Sequence, residues 1–192
     1  MDACPRGKGV SRTLWLAESF LDAYRASYPA HEVRVHRVSE MGLMPLDGCT
    51  LARRESLIEA MEWSHPMFAP ARDFIRARNI LVAAPYWDLS FPAAFKVYVE
   101  CIFIRELTFR YQNDEPIGLC AARRVLYLTT AGDKIGGQNL GAAYVEATFR
   151  MLGIPGFDCV CADGLDVAGA NPRYILESAA ARVRQAARAF GA

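Results

Sequence analysis

The run Ile80-Leu81-Val82-Ala83-Ala84, bounded by Asn79 and Pro85, most constrains this fold, because it has no polar face to offer water. A short, unbroken apolar segment of this kind is a strand covered on both sides, as in a parallel sheet sandwiched between helices. Val125 to Thr129 is a second such run, and Phe157 to Ala162 reads as the last strand. A shorter strand with a polar side is predicted over Glu32–Val38, from Val33, Val35 and Val38.

Helical patterns fall between these runs. Leu14, Ala17, Leu21, Tyr24 and Tyr28 mark an amphipathic helix that starts near Ser11 and stops at Pro29. Residues 51–77 read as one or two helices broken around Pro66 and Pro70. A further helix is expected from Pro92 to Arg105, with the proline suited to a first turn. Leu140, Tyr144, Ala147 and Met151 define another, and Ile175, Ala179, Val183, Ala186 and Phe190 stripe a C-terminal one. Alternating strands and helices predict one α/β domain over residues 1–192, an open parallel sheet with helices on both faces.

Composition narrows the function classes. With a formal net charge of +1, no overall field favours nucleic acid or an acidic membrane surface. No apolar run approaches the roughly 20 residues needed to cross a bilayer, and no secretory signal is visible. The six cysteines lack C-x-x-C spacing and read as buried, reduced thiols, suited to a cytoplasmic protein. A hydrolase fares poorly, since there is no G-x-S-x-G elbow and the only histidines are His31, His36 and His65. No histidine pair shares a helix-face spacing with an acid, so a metal site is unsupported.

In open α/β sheets ligands bind where strands end. The first such junction, Cys4-Pro5-Arg6-Gly7-Lys8-Gly9-Val10-Ser11-Arg12-Thr13, runs straight into a helix. Its glycines, hydroxyls, cations and helix N-terminus could cradle a phosphate; equally, Ser11 could simply cap the helix beside solvated basic residues. The second, Pro85-Tyr86-Trp87-Asp88-Leu89-Ser90-Phe91-Pro92, gathers aromatics that could wall a planar ring or pack loop against helix. The third, Thr129-Thr130-Ala131-Gly132-Asp133, has the small residues that let a backbone approach a ring edge.

These junctions carry a family resemblance. Ala83-Ala84-Pro85-Tyr86-Trp87-Asp88-Leu89-Ser90-Phe91-Pro92, then Phe95-Lys96-Val97-Tyr98, Thr108-Phe109-Arg110-Tyr111, Gly118-Leu119 and the Thr-Thr-Ala-Gly loop resemble the FMN-dependent NADH:quinone oxidoreductase and azoreductase family, of flavodoxin-like fold. The resemblance spans about residues 3–165 and is most specific over 83–119. It implies tightly bound FMN, with Cys4, Ser11, Arg12 and Thr13 at the phosphate. Tyr86, Trp87, Asp88 and Leu89 would line the flavin ring, and Thr130, Ala131, Gly132 and Asp133 its pyrimidine side. Phe109 and Tyr111 would stand near the substrate pocket. No side chain is implied as catalyst, because flavin N5 carries the chemistry. Electrons would pass from NADH or NADPH to a quinone or azo acceptor by a ping-pong mechanism, in a homodimer with each site at the subunit boundary. A flavodoxin-type electron carrier and a flavodoxin-like module without FMN are the alternatives.

Three departures from the family pattern set further expectations. Cys4 stands where a serine is usual and Asp133 where a second glycine is common. Asp88 replaces an asparagine, which favours its backbone N–H over its carboxylate in any role. The chain starts Met1-Asp2-Ala3-Cys4 where the family has a complete apolar strand. A truncated central strand would expose its neighbours' edges and unseat the phosphate loop, unless the sheet is rearranged.

Overall fold

The computed structural model describes residues 1–192. Its elements in chain order are α1 (Arg12–Ser27), α2 (Gly48–Glu59), α3 (Ala69–Arg76), β1 (Asn79–Ala83), α4 (Ala93–Ile102), β2 (Phe109–Gln112), β3 (Glu115–Gly118), β4 (Arg124–Thr130), α5 (Leu140–Met151), β5 (Gly156–Ala162) and α6 (Pro172–Phe190). β1, β4 and β5 form a parallel sheet in the order β1-β4-β5, with Ile80 beside Val125 and Val125 beside Phe157.

The period of two along each strand divides the core in two. Val82, Val125 and Tyr127 join Phe95, Tyr98, Ile102, Val145 and Phe149, the side chains of α4 and α5, on one face. Ala83, Leu126, Leu128 and Val160 join Leu16, Phe20, Val183 and Phe190, from α1 and α6, on the other. The result is the expected three-layer sandwich, and no helix is long and apolar enough to cross a membrane.

The central strand is short, but its place is filled. The amides of Ala3 and Ala83 bond to Ala83 O and Met1 O, both at 2.9 Å, while Asp2 bonds to His36 O and accepts from Val38 N on the other side. The order across the sheet is therefore residues 36–38, residues 1–3, β1, β4, β5. These three residues pair with Leu81–Ala83 of β1 and with residues 36–38, so the edges beside the Cys4–Thr13 loop are covered, and only the Asn79–Ile80 end of β1 has no partner from this segment. The strand predicted over 32–38 shrinks to a bridge at Arg37, because its only partner is this short segment.

Other boundaries also move. Pro70 does not break a helix: it lies in the first turn of α3, after a 3-10 turn over Pro66–Phe68, where its missing N–H costs nothing. α4 ends at Ile102, short of Arg105. The buried face of α1 is Thr13, Leu16, Ala17 and Phe20, with Leu14, Leu21 and Tyr24 at its border. It packs on the sheet and α6 together, with Phe20 edge-on to Phe190 at 5.2 Å. The β2–β3 hairpin was not anticipated; its turn puts Asn113 and Asp114 at φ 52° and 62°, the left-handed pair of a two-residue turn. All six cysteines are free, but only Cys4 and Cys120 are buried; Cys159 lies exposed on the sheet-edge strand β5.

Candidate active site

At the carboxyl ends of the strands, four loops, the first running into the start of α1, surround a cleft of about 210 Å³. Its lining includes Arg6, Ser11, Arg12 and Thr13 from the first junction, Tyr86 and Trp87 from the second, Thr130 and Gly132 from the third, and Asp166 from the loop after β5.

The α1 end carries the free groups that an anion can use. The Ser11 hydroxyl accepts from Leu14 N at 3.2 Å and caps the helix, so the capping role foreseen for it is realised. Capping does not consume the site: the N–H groups of Arg12 and Thr13 have no acceptor in the chain, as a helix start requires. Thr13 is 1% exposed, and its Oγ1 lies 2.7 Å from Thr130 Oγ1, which ties the helix end to the tip of β4. Cys4 lies beneath this end rather than lining it, with Sγ 3.5 Å from Ala83 O. Burial pushes its thiol up to about 12, so it stays protonated and contributes no charge.

The Tyr86–Leu89 segment is held in shape by backbone bonds. Tyr86 N donates to Thr130 O at 3.0 Å, fixing the loop to β4. Trp87 and Ser90 exchange two hydrogen bonds across a tight turn whose central residues, Asp88 and Leu89, have φ 49° and 65°. Two successive non-glycine residues in the left-handed region cost roughly 1–2 kcal/mol each. Strain of this kind concentrates at functional sites. The turn leaves Leu89 63% and Trp87 39% exposed, and the N–H groups of Asp88 and Leu89 without internal acceptors. Trp87 lines the cleft; Asp88 and Leu89 form the turn beside it.

The third loop is braced by the fourth. Leu165 N and Asp166 N donate to Ala131 O and Gly132 O at 3.2 and 2.9 Å, and Gly164 N donates to Asp133 O. Gly132 lines the cleft with a free N–H, whereas Ala131 is buried and Asp133 stands outside the lining. A Cβ built on Gly132 would lie 2.5 Å from Asp166 Oδ2.

Asp166 is the residue that sequence reasoning missed. Its carboxylate takes a two-pronged bond from Arg12, Nη1 to Oδ1 at 2.7 Å and Nη2 to Oδ2 at 3.0 Å. The guanidinium holds it below the usual carboxylate range. Asp166 lies in the stretch after the last strand, Asp163 to Pro172, and nothing local pairs it with an arginine 154 positions away. Phe109 and Tyr111 lie on the β2–β3 hairpin, outside this cleft, in an aromatic row with Phe103; Tyr111 is 56% exposed.

A parallel sheet flanked by helices, with a polar cleft at its carboxyl edge and a helix start aimed into it, defines a flavodoxin-like α/β protein. The chain belongs to this family: the model described as "Flavodoxin-like fold" matches residues 1–187. It is 28% identical to an FMN-dependent NADH:quinone oxidoreductase 2 of Clostridium acetobutylicum, over 95% of this chain and 94% of the relative. It is also 28% identical to an FMN-dependent NADH:quinone oxidoreductase of Clostridium beijerinckii, over 98% and 96%. Among solved structures, an azoreductase from Bacillus anthracis superposes with TM-score 0.88 at 17% identity, covering 98% of this chain and 97% of the other. An FMN-dependent NADH-azoreductase of the same organism, in complex with FMN, superposes with TM-score 0.81 at 21% identity, over 92% and 90%.

Proposed function

We propose that the protein is an FMN-dependent oxidoreductase that passes electrons from NADH or NADPH to a quinone-like or azo acceptor. The observation that carries this reading is the two-ended cleft: unpaired amides and arginines at the start of α1, and an aromatic wall with a free Gly132 N–H at the other loops. A phosphate monoester fits the first end, since helix-start amides and a neighbouring cation are the donors an anion needs. A flat heteroaromatic ring fits the second, where Tyr86 and Trp87 supply apolar surface and Gly132 lets the backbone come close. The functions named for the two clostridial relatives support the same reading.

When bound, the flavin would accept a hydride from the nicotinamide and return two electrons to the acceptor. The chain's own residues bind and orient it. Ser11, Arg12 and Thr13 hold the phosphate, with Cys4 a neutral floor beneath them. The backbone of Tyr86–Leu89 and of Thr130–Asp133 flanks the ring. No side chain has to act as acid, base or nucleophile. Donor and acceptor use the one cleft in turn, which is the ping-pong order. A homodimer that brings the exposed Tyr111 of one subunit, backed by the buried Phe109, towards the cleft of the other would complete the pocket for the acceptor. Such an enzyme would work in the cytoplasm.

The test is direct. Purified protein, reconstituted with FMN if colourless, should show flavin absorption and oxidise NADH or NADPH when menadione or an azo dye is added. Protein that cannot be loaded with FMN overturns the reading. Loaded protein that turns over neither acceptor is an electron carrier instead.

A further inference from the structure

Among the residues lining the cleft, Asp166 is an anion in the place where an anion is to be bound. It engages both terminal nitrogens of Arg12 head-on, which is the geometry a phosphate would use. A carboxylate that merely aimed the arginine would sit behind it, away from the ligand. Asp166 instead faces the cleft and lies against Gly132, so the pair bridges from α1 to the third loop. The neighbouring charges leave Arg12 as the contested cation: Lys8 is paired with Glu18 at 2.9 Å, and Asp163 accepts from Ile135 N. Arg6 lines the cleft and also attracts Asp166.

We propose that Asp166 is an internal competitor for the phosphate site, a latch on Arg12 that a phosphate-bearing flavin must displace and that an unphosphorylated flavin leaves in place. The proposal rests on the flavin reading above and adds a determinant of specificity to it. Asp166 lowers the affinity for FMN, makes the cofactor exchangeable, and does so through charge. The backbone bond from Asp166 N to Gly132 O stays intact when the carboxylate leaves, so the loop keeps its seat while the side chain swings.

The experiment compares the cofactor-free wild-type protein with Asp166→Asn, titrating FMN and riboflavin separately by quenching of flavin fluorescence. Asp166 is largely exposed, and circular dichroism checks that the variant is folded. The expected result is FMN binding about fivefold tighter in Asp166→Asn, from the loss of one exposed ion pair and of one negative charge near the phosphate. Riboflavin affinity should change less than about twofold, the scale of a neutral contact. Unchanged or weaker FMN binding overturns the latch, and so does equal tightening of both flavins, which would mean a steric block. If neither protein quenches either flavin, the flavin reading itself falls, and the latch with it.

Discussion

Thr13 and Thr130 meet hydroxyl to hydroxyl at 2.7 Å in the buried seam between the first turn of α1 and the end of β4. Removing one hydroxyl leaves the other buried without that partner. Thr13→Val or Thr130→Val should each lower stability by about 1–2 kcal/mol, because an unmet buried polar group keeps its desolvation cost. The double variant should lose less than the sum of the two. Urea unfolding of the four proteins measures the coupling, and strict additivity would show that the two hydroxyls do not interact.

Gly132 lies against the Asp166 carboxylate, so a β-branched residue there displaces the side chain and intrudes on the cleft. Gly132→Val should weaken riboflavin by about tenfold or more, the equivalent of roughly 1.4 kcal/mol of overpacking, and FMN by less, because pushing Asp166 off Arg12 also frees the arginine for the phosphate. The fold should survive, since the atom met is the end of a flexible side chain. The loss of riboflavin affinity distinguishes this steric effect from the charge effect expected of Asp166→Asn, which leaves riboflavin nearly unchanged. Unchanged flavin binding removes the third loop from the site.

At Gly118, the end of β3, an added Cβ would come within 2.0 Å of Leu152 C and Gly153 N, which are backbone atoms that cannot step aside. Gly118→Ala should therefore cost about 3 kcal/mol or more, the upper end of overpacking. A fall in thermal midpoint measures it, with Gly137→Ala, which has open space around it, as the control.

His36 joins two elements: its Nδ1 and the Tyr98 hydroxyl share a hydrogen bond of 2.9 Å, and its Nε2 faces Asp73 Oδ2 at 3.4 Å. Asp73 favours the charged ring, but burial outweighs it and holds His36 below its ordinary value. The neutral ring can serve both contacts, with Nε2–H turned to Asp73 and Nδ1 accepting from the Tyr98 hydroxyl. The unfolded chain, with an ordinary imidazole near 6.5, takes up its proton first as pH falls. This contribution to stability is thus complete above about 6.5 and is lost as pH falls through the lower folded value. Denaturation midpoints at pH 7.5 and 5.5 should differ less in His36→Gln than in the wild type. An equal or larger difference in the variant would exclude His36 as the source.

The strands at 79–83 and 124–130 were legible in the sequence because a doubly covered strand must be apolar on both faces, and the edge strand at 156–162 from its shorter apolar run, although Asp158 and Cys159 on it are exposed. The helices were legible because their apolar residues recur at a helical period. Their strand-end junctions followed, and with them Ser11, Arg12, Thr13, Tyr86, Trp87, Thr130 and Gly132, all of which line one cleft. Both readings of Ser11 proved compatible: it caps α1 while two helix-start amides stay free.

What the sequence determined is periodic or local, set by residues a few positions apart. What only the tertiary structure decided depends on distant segments meeting. Met1–Ala3 serves as a central strand only because β1 and residues 36–38 present their edges to it. The 109–118 hairpin, with a mostly exposed face, had no apolar period to announce it. Arg12 and Asp166 look like two solvated charges in the chain, and become a bridge across a cleft only when α1 and the loop after β5 are brought to the same end of the sheet.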